Sequence, residues 1–242
     1  MLVAAVPLLG GCLSDDYYVD MVDVDGGTFI MGSNDADADA DESPIHIEMV
    51  QSFKIGRYEV TQKLWKRVMH DKNPSLFKGD NRPVENVSWD DIQLFIFRLN
   101  RVTGHKYRLP TEVEWEYAAK GGNRSSGYRY SGGELEQIGW FVGNSDNTTH
   151  DVGLLNPNEL DIFDMTGNVH EWCEDLYDSL AYCKNEECRQ PFQTDGKKSA
   201  IRVYRGGSWS SSDKYCRISN RNKHTADLRH PCLGFRLAED SN

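Results

Sequence analysis

The second half of this chain has the composition of irregular structure. From residue 123 onward, glycine, asparagine, serine and aspartate dominate, and the sequence predicts few helices or strands there. Long irregular stretches are uncommon inside a compact domain, and metals, disulfides or buried polar side chains have to fasten them. Any fold for this chain must therefore supply such fastenings to its second half.

The first half predicts three helices, each with a capping residue at its start. The first helix follows Thr61. The second follows the capping box Ser88-Trp-Asp-Asp91 and runs to about Asn100. The third follows the box Thr111-Glu-Val-Glu114 and runs to Ala119. Apolar residues at helical spacing predict the core faces of these helices: Leu64, Trp65, Val68, Ile92, Phe95, Ile96, Leu99, Trp115 and Tyr117.

Length and charge favour one globular domain. The 242 residues suit a single core, which we place at residues 24–240, after a polar tether at residues 13–23. Within the domain, residues 34–42 are interpreted as a solvated acidic loop. The net charge of −11 argues against a nucleic-acid surface, and no segment approaches the roughly 20 apolar residues that span a bilayer.

The N-terminal residues resemble a bacterial lipobox. Residues 1–9 are almost all apolar, and Leu9-Gly10-Gly11-Cys12 follows. We interpret residues 1–12 as a lipoprotein signal segment in which Cys12 becomes lipidated. The alternative is a truncated or misassigned start, because the apolar run is short and has no preceding Lys or Arg. Lipidation implies an extracytoplasmic protein anchored to a bacterial membrane, with the outer membrane or the cell surface as candidate sites.

An extracytoplasmic location permits disulfides, and five further cysteines are present. They are Cys173, Cys183, Cys188, Cys216 and Cys232, an odd number that leaves at least one unpaired. Cys183 and Cys188 could close a small loop and leave Cys232 single, but the sequence alone does not fix the pairing.

Six segments resemble the formylglycine-generating enzyme family, also called sulfatase-modifying factors. The resemblance covers roughly residues 24–238 and implies a single compact α+β domain with the C-type-lectin-like fold and much irregular chain. In chain order, the segments are Gly26–Ser33, Tyr58–Thr61, Pro83–Trp89, Arg108–Ala119, Asp164–Trp172 and the stretch from Gly206-Gly207-Ser208-Trp209 to Gly234-Phe235-Arg236.

Enzymes of this family oxidise a client sulfatase cysteine to formylglycine through Cu(I) held by two thiolates. Those two cysteines lie two and seven residues after the aromatic residue that follows Gly-Gly-Ser. Here Trp209 is the aromatic residue, Cys216 stands at position seven, and Ser211 stands at position two. A serine hydroxyl is a hard ligand that stays protonated, so copper is not expected. The candidate catalytic residues are Cys216, Ser211 and Ser208.

The resemblance also implies a structural calcium site. Its ligands would be the carboxylates of Asp164 and Glu171 and the carbonyls of Gly167 and Val169. Calcium prefers such hard oxygen ligands. The alternative is a metal-free turn locked by hydrogen bonds from the Asn168 side chain.

Two hypotheses for function follow. In the first, the protein is a non-catalytic binding or scaffolding module of the cell envelope with a protein or glycan partner. Cys216 would then form a structural disulfide, with Cys173 as its candidate partner, and an oxidised Cys216 is no nucleophile. In the second, the protein is an active oxidase that acts through Cys216 on a cysteine of an exported sulfatase.

Overall fold

The computed structural model describes residues 17–183 and 200–241. Four α-helices lie within these ranges: Gln62–Val68 (α1), Trp89–Thr103 (α2), Glu112–Ala119 (α3) and Leu135–Ile138 (α4). The strands of the same ranges are Met21–Val24 (β1), Gly27–Met31 (β2), His46–Val50 (β3), Phe53–Gly56 (β4), His170–Leu176 (β5), Ile201–Arg205 (β6), Asn222–Thr225 (β7), Leu233–Gly234 (β8) and Ala238–Asp240 (β9).

The strands form three small sheets with helices around them. β4 pairs antiparallel with both β1 and β9, which joins the two ends of the described chain. β2 and β3 form an antiparallel pair. The largest sheet has the order β7-β6-β5-β8, in which β5 and β8 run parallel. This mixed α+β domain, with long irregular connections, confirms the fold class that the sequence predicts.

The domain begins before the predicted boundary at residue 24. Met21 pairs with Gly56 in the β1–β4 ladder, and Tyr17 and Val19 pack against the main core cluster. The predicted tether is therefore too long at its C-terminal end, because these apolar residues are covered by the core. Residues 13–16 of the tether and the predicted lipidation site Cys12 lie outside the described residues.

The three predicted helices are confirmed, together with their caps. The Thr61 side chain accepts a hydrogen bond from the Leu64 N–H, and reciprocal capping boxes close at Ser88 and Thr111. α2 extends three residues beyond the predicted end because its C-cap is Gly104, whose φ of 78° suits glycine. Each cap contributes about 1 kcal/mol to helix stability.

The irregular second half is fastened by buried arginine side chains. Arg205 forms ion pairs with Glu112 and Glu116 of α3, and Arg221 also pairs with Glu112. Arg236 contacts Glu171 through two hydrogen bonds of 2.6 Å. Because all three guanidinium groups are buried and paired, they join the second half of the chain to α3 and to β5 through polar contacts of the predicted kind.

The end of the predicted acidic loop is buried. Glu42 lies in a short 3-10 helix and is fully buried, where both carboxylate oxygens accept hydrogen bonds from Arg217 at 2.5 and 2.7 Å. The solvated-loop interpretation is therefore wrong for Glu42, because an arginine 175 residues away supplies the compensating charge.

The outward face of the β2–β3 pair is apolar. Ile30 lies directly opposite Ile47 in the ladder, and Met49 lies opposite Thr28. Ile47 is 69% exposed and Met49 is 70% exposed. We call this surface, with the neighbouring exposed Ile45, the β2–β3 face. No helix in the described part of the chain is both long and apolar enough to cross a bilayer.

Candidate functional site

A tight turn follows β6 and brings the segment that begins at Ser208 close to Cys216. Gly206 and Gly207 both have positive φ, at 96° and 75°. A Cβ atom on Gly207 would lie 2.7 Å from the Cys216 sulfur, so only glycine lets the two segments approach this closely. The turn therefore places Ser208 and the residues after it over Cys216.

Cys216 is enclosed by apolar side chains. It ends a short 3-10 helix, Asp213–Cys216, and packs with Leu135 and Ile138 of α4. Burial raises the pKa of its thiol to about 12. At neutral pH the sulfur is therefore a protonated thiol, which is neither a good nucleophile nor a good metal ligand.

Ser211 belongs to a network of hydroxyl groups. Its Oγ accepts a hydrogen bond from the Ser208 N–H at 3.1 Å and lies 3.1 Å from Ser208 Oγ. The Nε2 atom of His170 is 3.5 Å away from Ser211 Oγ. A bis-thiolate copper site needs two ionised sulfurs, and this position supplies a hydroxyl beside one buried thiol. The residues present therefore do not fit that copper site.

The predicted Cys173–Cys216 disulfide is wrong, because both thiols are free. Cys173 packs in the cluster around Trp115, whereas Cys216 packs in the separate cluster around α4. The two sulfurs are held apart by the core clusters to which they belong. Cys232 is also free, and Cys183 is disulfide-bonded, while its predicted partner Cys188 lies outside the described residues.

A polar pocket of about 270 Å³ opens beside Ser208. Cys232 lines this pocket, and its sulfur lies 3.0 Å from Ser210 Oγ. Burial raises the pKa of Cys232 and lowers that of His170 to about 4, so the thiol and the imidazole are both neutral. We call this cavity the Cys232 pocket, and it is lined by His170, Tyr204, Ser208, Ser210, His224, Leu228, His230, Cys232 and Leu233.

The Cys232 pocket presents the neutral Cys232 thiol and His170 imidazole beside the hydroxyl groups of Ser208 and Ser210, and it can receive a polar, uncharged group. The His170 ring contacts the main chain of Arg205, and no carboxylate of the described residues orients the imidazole as a Ser-His-Asp arrangement would require. The sequence interpretation missed this pocket. The available signals were the position of His170 beside Glu171 and of Cys232 just before Leu233-Gly234.

The predicted calcium residues lie together in a buried turn. The Asp164 carboxylate accepts the Gly153 N–H at 2.7 Å, and the Val169 N–H donates to Glu59 at 3.1 Å. Gly167 has a φ of 82°, and an added Cβ would lie 2.3 Å from a main-chain oxygen of Trp140. The backbone bend that the prediction requires is therefore present.

The side-chain hydrogen bonds of the metal-free alternative are also present. The Asn168 amide donates to Glu59 Oε2 at 2.6 Å, and its oxygen accepts the His150 N–H at 2.9 Å. The Glu171 carboxylate accepts hydrogen bonds from Arg236 and from the Trp115 indole. The Asn168 side chain thus holds the turn in place. The Glu171 carboxylate, a predicted calcium ligand, already accepts hydrogen bonds from Arg236.

Buried carboxyl groups outnumber the basic groups that the described residues place around this turn. Three buried carboxylates, those of Glu59, Asp164 and Glu171, act on one another beside the single guanidinium of Arg236. Burial and the neighbouring carboxylates raise the pKa of Glu59, and burial raises that of Asp164 to about 6. Among the described residues, no three His, Cys, Asp or Glu side chains converge as a metal site, so a cation here would also need backbone oxygens.

Comparison with known proteins identifies the frame of this site. Residues 14–241 match the family model of the sulfatase-modifying factor enzyme 1-like domain. The chaperone protein LppX of Paenibacillus barcinonensis is 31% identical, over 98% of this chain and 96% of that protein.

An enzyme and a solved structure show the same relationship. The formylglycine-generating enzyme of Streptomyces coelicolor is 36% identical over 73% of this chain, which covers 60% of that enzyme. The structure of Treponema denticola variable protein 1 aligns with a TM-score of 0.79 and 29% identity, covering 91% of this chain and 95% of that one. This chain therefore belongs to the sulfatase-modifying factor family, whose members include the formylglycine-generating enzymes.

Proposed function

We propose that this protein is a lipid-anchored binding module for exported polypeptides of a bacterial envelope, and that it does not generate formylglycine. The observation that carries this proposal is the missing second thiol. Ser211 stands in its place, and the remaining Cys216 is enclosed by Leu135 and Ile138. Because copper-dependent oxidation needs a pair of accessible thiolates, the family frame here supports binding better than oxidation.

The comparison with LppX supports a polypeptide client. That relative is named a chaperone protein, and the similarity extends over nearly the full length of both chains. A shared frame of this extent is compatible with a shared type of partner, although fold alone does not carry function.

The exposed apolar residues of the β2–β3 face favour a polypeptide partner and not a glycan. Ile30, Ile47 and Met49 are exposed side by side, with Ile45 at the edge. Contiguous exposed apolar surface of this kind is typical of protein interaction sites. We propose that unfolded segments of exported proteins bind there, while the Cys232 pocket receives a neutral polar side chain of the client.

Calcium belongs to the proposal as a structural ion. Asp164 and Glu171, with the carbonyls of Gly167 and Val169, would hold it, and the surplus of buried carboxylates supports a cation. Calcium would reduce the repulsion among those carboxylates and rigidify the turn that precedes β5.

The first experiment tests catalysis directly. Reduced protein is incubated with copper, oxygen and a sulfatase-motif peptide, and mass spectrometry measures formylglycine. We expect no conversion. Conversion by the wild type that is lost in Cys216→Ser would refute the proposal in favour of an oxidase, the alternative that the similarity to formylglycine-generating enzymes favours.

Ser211→Cys provides a matched gain-of-function control for the same experiment. We expect this variant to bind Cu(I) more tightly than the wild type, because it restores the second soft ligand. Tight Cu(I) binding by the wild type that depends on Cys216 would contradict our assignment.

The second experiment tests client binding. Light scattering measures the aggregation of a chemically unfolded exported enzyme, such as alkaline phosphatase, with and without this protein. We expect suppression by the wild type and weaker suppression by Ile47→Ser with Met49→Ser. Leu154→Ser, which changes another exposed apolar residue, is the matched control and should behave as the wild type. No suppression by the wild type would remove the client-binding part of the proposal.

A further inference from the structure

The outward side of α2 carries apolar and basic side chains that the domain leaves exposed. Phe97 is 58% exposed and Val102 is 55% exposed, and Leu94 lies on the same side. The Arg101 guanidinium carbon lies 5.7 Å from the centre of the Phe97 ring. Arg98 is half-buried, and its guanidinium contacts the Met69 sulfur at 3.6 Å. We call this surface, from Leu94 to Val102, the outer α2 face. The opposite side of the helix is buried through Ile92, Phe95, Ile96 and Leu99.

The composition of the outer α2 face suits a lipid–water boundary. Aromatic and aliphatic side chains enter the boundary region, while arginine keeps its guanidinium at the level of the headgroups and buries its aliphatic stem. The exposed face alone does not identify its partner, but the position of the tether does.

The tether reaches the domain beside this face. The Arg67 guanidinium carbon lies 5.6 Å from the centre of the Tyr17 ring, and Tyr18 lines one cavity together with Val102. Tyr17 is five residues after Cys12, and five extended residues span at most about 18 Å. A lipid on Cys12 would therefore hold this side of the domain close to the bilayer.

The charge of this side differs from that of the whole chain. The protein carries a net charge of −11. The C-terminal half of α2 and the turn that follows nevertheless bear Arg98, Arg101 and Lys106, against the carboxylate of Glu239, which accepts the Lys106 N–H. Anionic headgroups attract such residues over about one Debye length and repel the remaining acidic surface. The charge distribution therefore favours one orientation on an anionic membrane.

A second copy of the chain is a poorer occupant. In a twofold contact each copy would present the same surface, so the Arg101 side chains of the two copies would face one another. Juxtaposed like charges oppose such a contact.

We propose that the outer α2 face, together with Tyr18, rests on an anionic phospholipid bilayer when Cys12 carries its lipid. This inference rests on the lipid anchor of the proposed function. It adds an orientation, in which the domain lies against the membrane along α2 instead of hanging freely from its tether.

This orientation places the Cys232 pocket away from the anchor. α2 is about 22 Å long, and its N-terminal end contacts the segment before β8, where the Trp89 N–H donates to Ala226 and Asp91 pairs with Arg229. Leu228 of that segment lines the pocket. The pocket therefore lies near the end of the helix that is remote from the tether.

The test attaches the chain from Cys12 onward to vesicles through a maleimide lipid on that cysteine. The vesicles contain brominated phosphatidylcholine, with or without an equal part of phosphatidylglycerol. Quenching of tryptophan by the bromine atoms then reports contact with the bilayer. Phe97→Trp places the probe on the outer α2 face, and Leu154→Trp is the matched control at another exposed apolar site.

We expect the Phe97→Trp change to increase quenching several-fold over the Leu154→Trp change on anionic vesicles. Adding Arg101→Glu, or raising the salt to about 1 M, where the Debye length falls to about 3 Å, should reduce it. Equal quenching of the two variants would overturn the proposed orientation. Quenching that does not depend on phosphatidylglycerol would overturn the electrostatic recognition.

The anchor itself is tested separately in cells. Membrane fractionation of the wild type and of Cys12→Ala measures lipid-dependent association. Because the maleimide lipid supplies the anchor in the vesicle experiment, a failure of lipidation and a failure of the proposed orientation give different results.

Discussion

The buried arginines and the Cys232 pocket occupy the same loop-rich half of the chain, but their polar groups are partnered in different ways. Arg205 contacts two glutamates of α3 and a main-chain carbonyl, so its charge is compensated on several sides. In the pocket, the Cys232 thiol and the His170 imidazole are neutral, and they contact the hydroxyl groups of Ser210 and Ser211 instead of charged partners. The comparison separates groups that hold the fold from groups that remain available to a ligand.

The largest loss of stability is expected when one of the buried arginines is removed. Arg205→Ala removes one counterion from each of Glu112 and Glu116. Because Arg221 still pairs with Glu112 and Lys120 with Glu116, we expect a loss at the lower end of the about 3–5 kcal/mol that breaking a buried pair costs. Chemical denaturation should show a loss of this size in the free energy of unfolding. Arg229→Ala, at the exposed pair with Asp91, is the control and should cost less than about 1 kcal/mol. Equal losses of unfolding free energy in the two variants would mean that the buried arginine contributes no more to stability than the exposed one.

Glu85 tests whether an incompletely partnered carboxyl behaves as the scaffold carboxylates do. Burial raises its pKa from 4.5 to about 7, and within residues 17–183 and 200–241 its Oε2 has no hydrogen-bond partner. Because the folded-state pKa is raised, the stability that its protonated form contributes is present below about pH 4.5 and is lost as the pH rises through 7. A shift of this size corresponds to roughly 3 kcal/mol at most.

Glu85→Gln should remove that part of the pH dependence. Urea denaturation of the wild type and the variant between these pH values measures the difference, and the variant should gain relative stability as the pH rises. Parallel pH profiles for the two proteins would exclude Glu85 as the titrating group.

The turn around Asp164 has three buried carboxyl groups beside the guanidinium of Arg236, and calcium binding there can be tested by chelation. We expect chelation to lower the Tm, with a loss near 2.7 kcal/mol if free calcium had been about 100 times its Kd. Asp164→Asn should reduce the sensitivity to chelator without breaking the Arg236–Glu171 pair. Unchanged melting of the wild type in chelator would count against a bound ion and in favour of the Asn168-locked turn.

The smallest effect is expected in the pocket. The Ser210 hydroxyl lies 3.0 Å from the Cys232 sulfur, and its hydrogen bond lowers the pKa of the thiol. Ser210→Ala removes this hydroxyl. The thiol pKa should therefore rise, and the rate of labelling by a thiol reagent should fall several-fold, while stability changes by about 0.5 kcal/mol or less. Ser212→Ala, at an exposed hydroxyl nearby, is the matched control. A large loss of stability in Ser210→Ala would place the pocket hydroxyls among the fastenings of the fold.

The helices could be predicted because their signals are local. A cap such as Ser88 and its partner Asp91 lie three residues apart, so the sequence itself displays the interaction. Glu42 and Arg217 are 175 residues apart, and nothing in the acidic segment indicates which arginine will neutralise it. The sequence therefore indicated the three helices, but it did not indicate the four-stranded sheet of the second half or the ion pairs that join distant segments.

The cysteines illustrate the same limit. Their number and the replacement at Ser211 can be read directly, and the resemblance gives the chemical meaning of that replacement. The pairing of Cys173 with Cys216 was predicted wrongly because proximity in space depends on which core cluster receives each side chain. The accessibility of Cys232 depends on that packing in the same way.

By itself, the sequence determined the family frame, the capped helices and the loss of one thiol, because each of these is carried by residue identity and short spacing. The tertiary structure alone decided which carboxylate each arginine neutralises, which cysteines stay free and where the Cys232 pocket opens. These outcomes depend on burial and on contacts between distant segments, which exist only once the chain has folded.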